Sequence, residues 1–367
     1  SKEGTPIIMP KDIVGGAIVH SGLLKVSEEH VKRLSRHQVY EGNLMVARKG
    51  DVRKCAYITA NENGWMTGSD CLKVVLDESK CYPKFIYYQL RSEHIGRWLE
   101  KVSIGATMPS LNTGLLSGIE MVLPPIEIQK QIAGILSAYD DLIENNQKQI
   151  KLLEEAAQRL YKEWFVDLHF PGHENTKIVD GVPEGWNEKT LSQVADVIMG
   201  QSPKSEFYNS EKKGLPFHQG VGSYGVRFVM DDIYSTSYTR IAEPNSILFS
   251  VRAPVGRLNI TKNKVVIGRG LAAINQTDGC QSYLYYLLKN KFFKDNIVGN
   301  GSIFASVSKD ELLNQKFLIP ERNLMMQFEK IVSQMDKQIE NLDSKNKKLI
   351  EARDRLLPKL MSGEVEV

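Results

Sequence analysis

The chain repeats itself. Residues 124–160 align without a gap on residues 320–356, at a constant offset of 196. From Ile126/Arg322 to Trp164/Leu360, 13 of 39 pairs are identical, including Ile143-Glu144-Asn145 against Ile339-Glu340-Asn341. Chance at average composition gives about two or three. A duplication of this kind dictates architecture before any local propensity does. Each repeated segment closes a longer stretch of mixed sequence, residues 1–123 and 167–319. The chain therefore reads as two copies of a globular region followed by a helix, built to do one job at two places.

The repeated segments carry a helical signature. In the first, apolar residues fall at Ile128, Ile132, Ile135, Tyr139, Leu142, Leu153 and Leu160; in the second, at Leu324, Phe328, Ile331, Met335, Leu342, Leu349 and Leu356. Steps of three and four residues make a heptad seam, while Glu, Lys, Gln and Asp fill the other faces. Pro124-Pro125 and Pro320 stand at the starts, where a missing N–H costs nothing. About 40 residues at ~1.5 Å rise give about 60 Å of helix. A helix this long with one apolar stripe must pair, and the equivalent helix of the same chain is the economical partner. An antiparallel coiled coil with pseudo-twofold symmetry is expected, with Asn146 on the seam fixing register. The competing reading is that each helix only completes the core of its own domain.

The globular regions mix strands and short helices, an α+β pattern. Asn43–Arg48 and Ser246–Arg252 read as equivalent strands, Phe85–Leu90 and Tyr283–Leu288 as equivalent helices. Gly- and Ser-containing loops follow at 104–110 and 300–306, then last strands at Ile119–Leu123 and Lys316–Ile319. The framework matches between copies while most loop residues differ, as two reading heads with different targets would; drift of a duplicated scaffold gives the same pattern. Gly4-Thr5-Pro6-Ile7 resembles Gly214-Leu215-Pro216-Phe217, but 28 residues precede Gly214 back to and including Trp186, and only three precede Gly4. The first domain is thus expected to be N-terminally truncated. The boundaries are 1–123 and 167–319 for the domains (the second including a linker), with helical spacers at 124–166 and 320–363.

A net charge of +3 permits a nucleic-acid partner without requiring one. No apolar run reaches the ~18 residues that cross a bilayer, and no charged-then-apolar segment opens the chain, so a cytoplasmic protein without a membrane partner is expected. Cys55, Cys71, Cys81 and Cys280 lack CxxC spacing and read as reduced thiols. His169 and His173 are four apart, but Pro171 and Gly172 between them break the helix a ligand pair needs, so no metal site is expected. Phosphate-loop, dinucleotide, GxSxG and HExxH motifs are all missing. Duplication without catalytic motifs favours a binding module over an enzyme.

The second copy carries Gly185-Trp186, Leu191, Gly200-Gln201-Ser202-Pro203, Phe207-Tyr208-Asn209, Gly214-Leu215-Pro216-Phe217 and Gln219-Gly220 in order. With the Pro-led helices, the Ile-Glu-Asn repeat and Leu160-Tyr161-Lys162-Glu163-Trp164-Phe165, this resembles the specificity subunit of type I restriction–modification systems across essentially the whole chain. The resemblance implies a non-catalytic subunit reading a bipartite double-stranded DNA target with two recognition domains. It implies two methyltransferase subunits docked through the paired helices, endonuclease/translocase subunits where cutting occurs, and S-adenosylmethionine, ATP and Mg on those partners, with no cofactor in this chain. Two domains facing one side of a duplex would read half-sites ~34 Å apart, about one helical turn. The alternative class is a coiled-coil scaffold that recruits proteins without DNA specificity.

Base edges are read by Arg, Lys, Gln and Asn in loops. In the second domain the candidates are Gln201, Ser202, Lys204, Tyr208, Gln219, Arg252, Arg257 and Arg269; in the first, Arg48, Lys49, Arg53 and Lys73. Arg48 aligns with Arg252 and Arg53 with Arg257, each just past a strand end. Against each basic residue stands the ordinary reading of a solvated surface charge, and against Tyr208 a place in the local core.

Overall fold

The computed structural model describes residues 3–105, 109–292 and 306–367. It divides into two compact units, Ser1–Gln147 with Asp343–Val367, and Lys148–Leu342. The two long helices span Ile126–Phe165 and Arg322–Ser362, and each unit contains part of both.

In the first unit, Thr5–Ile8 pairs antiparallel with Leu24–Val26 and parallel with Met66–Thr67. Leu44–Ala47 pairs antiparallel with Cys55–Tyr57 and Cys71–Val74. Leu44–Ala47 is a continuous apolar run because both of its faces are covered. Leu44 and Val46 join Phe85, Ile86 and Tyr88 of the helix Pro83–Leu90, while Met45 turns the other way onto Ile8, Val39 and Ile58. The long-helix segments pack on the first of these cores through Ile132, Ala133, Leu136, Leu357 and Leu360. Asp140 pairs with Arg353 and Asn146 with Asn346, so here the two segments run antiparallel. Gln129 fastens the helix start: its side chain accepts from Tyr82 N–H and donates to Pro124 O, both at 2.8 Å.

The second unit repeats this plan with more strands. Ala195–Met199, Leu271–Gln276, Ile247–Ser250 and Leu258–Ile260 form an antiparallel sheet in that order. Leu215–His218 lies parallel to Val265–Ile267 at the centre of a five-stranded sheet. Ile247 and Phe249 face the helix Gln281–Phe292, and Leu248 faces Val265 and Ile267. Phe328 of the second long helix is fully buried among Tyr161, Trp164, Phe165, Tyr283 and Tyr286. Its contacts with Tyr161 and Trp164, beside the Asp336–Arg227–Glu154 cluster, again make the helix segments antiparallel.

The helix seam is corrected in part. Ile132, Leu324, Phe328 and Leu342 are buried, and Ile128, Tyr139, Leu153, Leu160, Met335, Leu349 and Leu356 are half-buried. Ile135, Leu142 and Ile331 are exposed; Leu136, Ile143 and Val332, one residue further on, are buried in their place. A helix of ~3.6 residues per turn drifts off a strict seven-residue repeat, and each segment packs on a globular core as well as on its partner helix. The strand expected at Ile119–Leu123 is also absent: those residues form no ladder, and Val122 and Leu123 are exposed. Its counterpart, Lys316–Ile319, is a strand because Asn187–Thr190 lies beside it, and among the described residues no strand lies beside 119–123. Of the two Gly-Ser loops, residues 106–108 and 300–305 lie outside the described residues.

All four cysteines are free and buried, and burial pushes the Cys55 and Cys71 thiols up to about 12. No described helix is long and apolar enough to cross a membrane.

Candidate nucleic-acid interface

Three chain segments converge in the second unit, at the C-terminal ends of its two parallel strands. Leu215–His218 runs into Gln219-Gly220, and Val265–Ile267 runs into Gly268-Arg269-Gly270. Gly200-Gln201-Ser202, after the strand Ala195–Met199, lies across both. Their backbones interlock: Gly268 N–H donates to His218 O at 2.8 Å, Gln201 N–H to Ile267 O at 3.0 Å and Gly200 N–H to Leu271 O at 2.9 Å. Glycine is required by close approach. A Cβ on Gly200 would collide with Gly268 O, one on Gly268 would stand 2.7 Å from Gln219 Oε1, and one on Gly270 2.5 Å from Gln219 O. The Ser202 hydroxyl donates to Gln219 Oε1 at 2.8 Å and accepts the Arg269 backbone N–H at 3.2 Å.

This knot forms one wall of a groove of about 940 Å³. Ser202, Tyr208, Gln219 and Arg269 all line it, so four of the eight candidates in this domain are brought together. Tyr208 stacks on Phe217 with ring centroids 4.6 Å apart, and its hydroxyl donates to Pro203 O at 2.8 Å. Gln201 and Lys204 are exposed beside the groove. Beneath it, His218 is fully buried, with Nδ1 2.9 Å from Ser223 Oγ and Nε2 3.2 Å from Asp231 Oδ1. The contact with Ser223 holds the turn Gly220–Tyr224, and the other ties in Asp231 further along the chain. Arg257 lies instead in a second hollow of about 470 Å³ with Tyr224, Val226, Tyr285 and Lys289. Arg252 is exposed at the end of the strand Ile247–Ser250.

The first unit treats its candidates differently. Arg48 is exposed, and among the described residues no carboxylate pairs with its guanidinium. Lys49 Nζ sits 3.1 Å from Asp70. Arg53 clamps two carboxylates of its own domain. It bonds Glu93 and, at 3.5 Å, Glu100, which lie seven residues apart on one face of the helix Glu93–Val102, and the Glu93 hydrogen bond raises its pKa. Lys73 is likewise engaged, donating to the backbone carbonyls of Arg36 at 2.7 Å and Gln38 at 2.8 Å. Arg53 and Lys73 are thus both held by groups of their own domain.

The ladders also correct the alignment between copies. Leu44 pairs with Val74 and Ala47 with Cys71, as Ile247 pairs with Ile274 and Ser250 with Leu271. Arg252 therefore corresponds to Lys49, and both bridge to a serine, Ser306 and Ser110. Arg257, whose carbonyl accepts from Ser250 N–H, corresponds to Lys54, whose carbonyl accepts from Ala47 N–H. Sequence alone slipped each pair by one residue, because only strand pairing fixes where the gap falls. Met9 and Ser69 are the first-unit counterparts of Gln219 and Arg269; the Gly4/Gly214 alignment already sets Met9 opposite Gln219.

Comparison with known proteins agrees with this architecture. A family model described as the type I restriction modification DNA specificity domain matches residues 1–155 and again residues 183–352. The chain is 28% identical, over 100% of its length and 88% of the relative's, to a Methanocaldococcus jannaschii protein assigned as the type I restriction enzyme MjaX specificity subunit. It is 26% identical, over 99% and 87%, to the MjaIX specificity subunit of the same organism. The crystal structure of a type I restriction–modification system S subunit from M. genitalium shares the fold, with a TM-score of 0.59 at 19% identity over 98% of this chain and 89% of that one. Two matched segments, each ending in one of the repeated helices, account for the duplication: the chain belongs to the type I restriction–modification DNA specificity family.

Proposed function

We propose that this chain is the sequence-reading, non-catalytic subunit of a type I restriction–modification assembly. Residues 1–123 and 167–319 each recognise one half of a bipartite double-stranded DNA target, and the helical segments 124–166 and 320–363 join them and dock two methyltransferase subunits. S-adenosylmethionine, and ATP and Mg where an endonuclease/translocase subunit is present, are held by those partners. The reading is supported above all by the family match, which falls separately on both copies of the repeat.

The groove supplies chemistry that suits the task. Ser202, Gln219 and Arg269 present polar groups from a rigid backbone knot, and Gln201 and Lys204 extend the exposed rim. Arg252, Arg257, Arg48 and Lys49 fit contacts to phosphate, which position a duplex without specifying its sequence. Arg53 and Lys73, already engaged within their own domain, are left out of the interface.

The test is to map modified bases across the source genome with and without this chain. The proposal expects two short motifs at a fixed spacing to lose their modification when the chain is removed. An unchanged modification map would refute it.

A further inference from the structure

The two units present the same reading position with different side chains. In the first, Ile7 pairs with Met66 and Ile8 with Thr67; in the second, Phe217 pairs with Val266 and His218 with Ile267, in the same parallel register. The residues just past the strand ends therefore correspond: Met9 with Gln219, Gly68 with Gly268, Ser69 with Arg269. The backbone underneath is the same. Gly68 N–H donates to Ile8 O at 2.9 Å, and Gly268 N–H to His218 O at 2.8 Å. Each glycine is buried, and each lies against the side chain that follows the neighbouring strand: a Cβ on Gly68 would collide with Met9 Sδ, as one on Gly268 would meet Gln219 Oε1. A one-turn 3₁₀ helix follows in both, Pro10–Asp12 and Val221–Ser223. The scaffold is held constant while the outward chemistry changes from thioether and hydroxyl to amide and guanidinium.

We propose that this pair of positions is a specificity determinant used once by each domain, an inference that rests on the DNA-reading function above. Gln219 and Arg269 together take a guanine. Gln219 Oε1 is occupied by the Ser202 hydroxyl, so its outward end is the Nε2 donor. Arg269 is exposed, and among the described residues no carboxylate pairs with its guanidinium. Two donors match the guanine major-groove edge, which offers N7 and O6 as acceptors. Met9, in the equivalent place, presents an apolar surface and takes the 5-methyl group of a thymine, the apolar feature of that groove.

The experiment is selection from a randomised duplex library by the full chain with its methyltransferase partner, using the natural protein, Gln219→Met/Arg269→Ser, Met9→Gln/Ser69→Arg and Arg269→Lys. The first double variant should lose guanine enrichment about tenfold at one position of one half-site, as loss of a bidentate contact predicts, and leave the other half-site unchanged. The reverse exchange should alter only the other half-site. Arg269→Lys keeps the charge and one donor but not the planar fork; it should bind unrelated duplex as the natural protein does and keep only part of the guanine preference. An unaltered motif, or an equal loss for every sequence, would overturn the proposal, the latter by making these phosphate contacts. If the natural protein enriches no motif, the DNA-reading function itself fails, and this assignment with it.

Discussion

Asp140 and Asp336, identical residues 196 positions apart, each accept a hydrogen bond from a tyrosine of the domain packed on their helix. Tyr88 donates to Asp140 at 2.7 Å and Tyr286 to Asp336 at 3.5 Å. Each aspartate also meets arginine: Arg353 and Arg91 at Asp140, Arg227 at Asp336. Arg227 is nearly fully buried, stacked 4.2 Å from the Tyr285 ring centre, and bonds Asp336 at 2.5 Å and Glu154 at 3.4 Å. Burial alone would lower its pKa, but Tyr285, Tyr286, Asp336 and Glu154 raise it. The duplication preserved a polar clasp between domain and helix while the loops diverged.

Replacing Arg227 by alanine leaves Asp336 and Glu154 facing each other with their shared cation gone. Removing one partner of a buried ion cluster costs about 3–5 kcal/mol. Urea unfolding of the Arg227→Ala chain should show a loss of that order. A loss below about 1 kcal/mol, the range of exposed ion pairs, would mean the clasp is only surface decoration.

Asn146 donates to Asn346 Oδ1 at 2.7 Å in a buried contact, and Asn346 reaches the Ile143 carbonyl at 3.4 Å. At the repeat-equivalent positions stand Leu342 and Ile150. Asn346→Ile alone strands one buried amide and should cost about 1–3 kcal/mol. The double change Asn146→Leu/Asn346→Ile, which imports the apolar pair, should recover most of that loss. A double variant no more stable than the single one would show that the pair contributes more than mutual satisfaction.

Phe328 fills the centre of the aromatic cluster of the second unit. Phe328→Ala should destabilise by about 3–5 kcal/mol through lost burial and the cavity left behind. Thermal unfolding of the full chain measures it, and a melting temperature equal to the parent's would contradict the assigned core.

Glu329 accepts the backbone N–H groups of Ser282 at 3.3 Å and Tyr283 at 3.1 Å. Burial raises its pKa above the usual carboxylate value, against the lowering effect of those two hydrogen bonds. A carboxyl raised in the folded state binds its proton more tightly there. Its contribution to stability is complete below the unfolded pKa, ~4.3 for glutamate, and is lost as pH rises through the folded value. Glu329→Gln removes that loss, so unfolding free energies measured from pH 4 upward should shift in favour of the variant as pH rises. A difference that stays flat with pH would contradict the assigned direction.

The repeat made the architecture legible, because 13 identities at one offset leave little choice of topology. The pairing of Phe328 and Ile132 with their surroundings follows from apolar periodicity, but Ile135 and Leu142 are exposed because a seven-residue template cannot track a helix that also packs on a domain core. Ser202, Tyr208, Gln219 and Arg269 could be picked out as polar loop residues near strand ends, and the fold gathers them into one groove. Arg53 and Lys73 could not be sorted from them, since composition does not tell a cation facing solvent from one facing Glu93 or a backbone carbonyl. The correspondence of Ser69 with Arg269 becomes visible only through strand register.

The central claim is that two domains of one chain read two separate pieces of one DNA site. The most direct measurement is selection from a randomised duplex library by the full-length chain together with its methyltransferase partner. Two short motifs at a single fixed spacing are predicted. A single motif would contradict reading by both domains, and no enrichment at low salt would contradict sequence reading altogether.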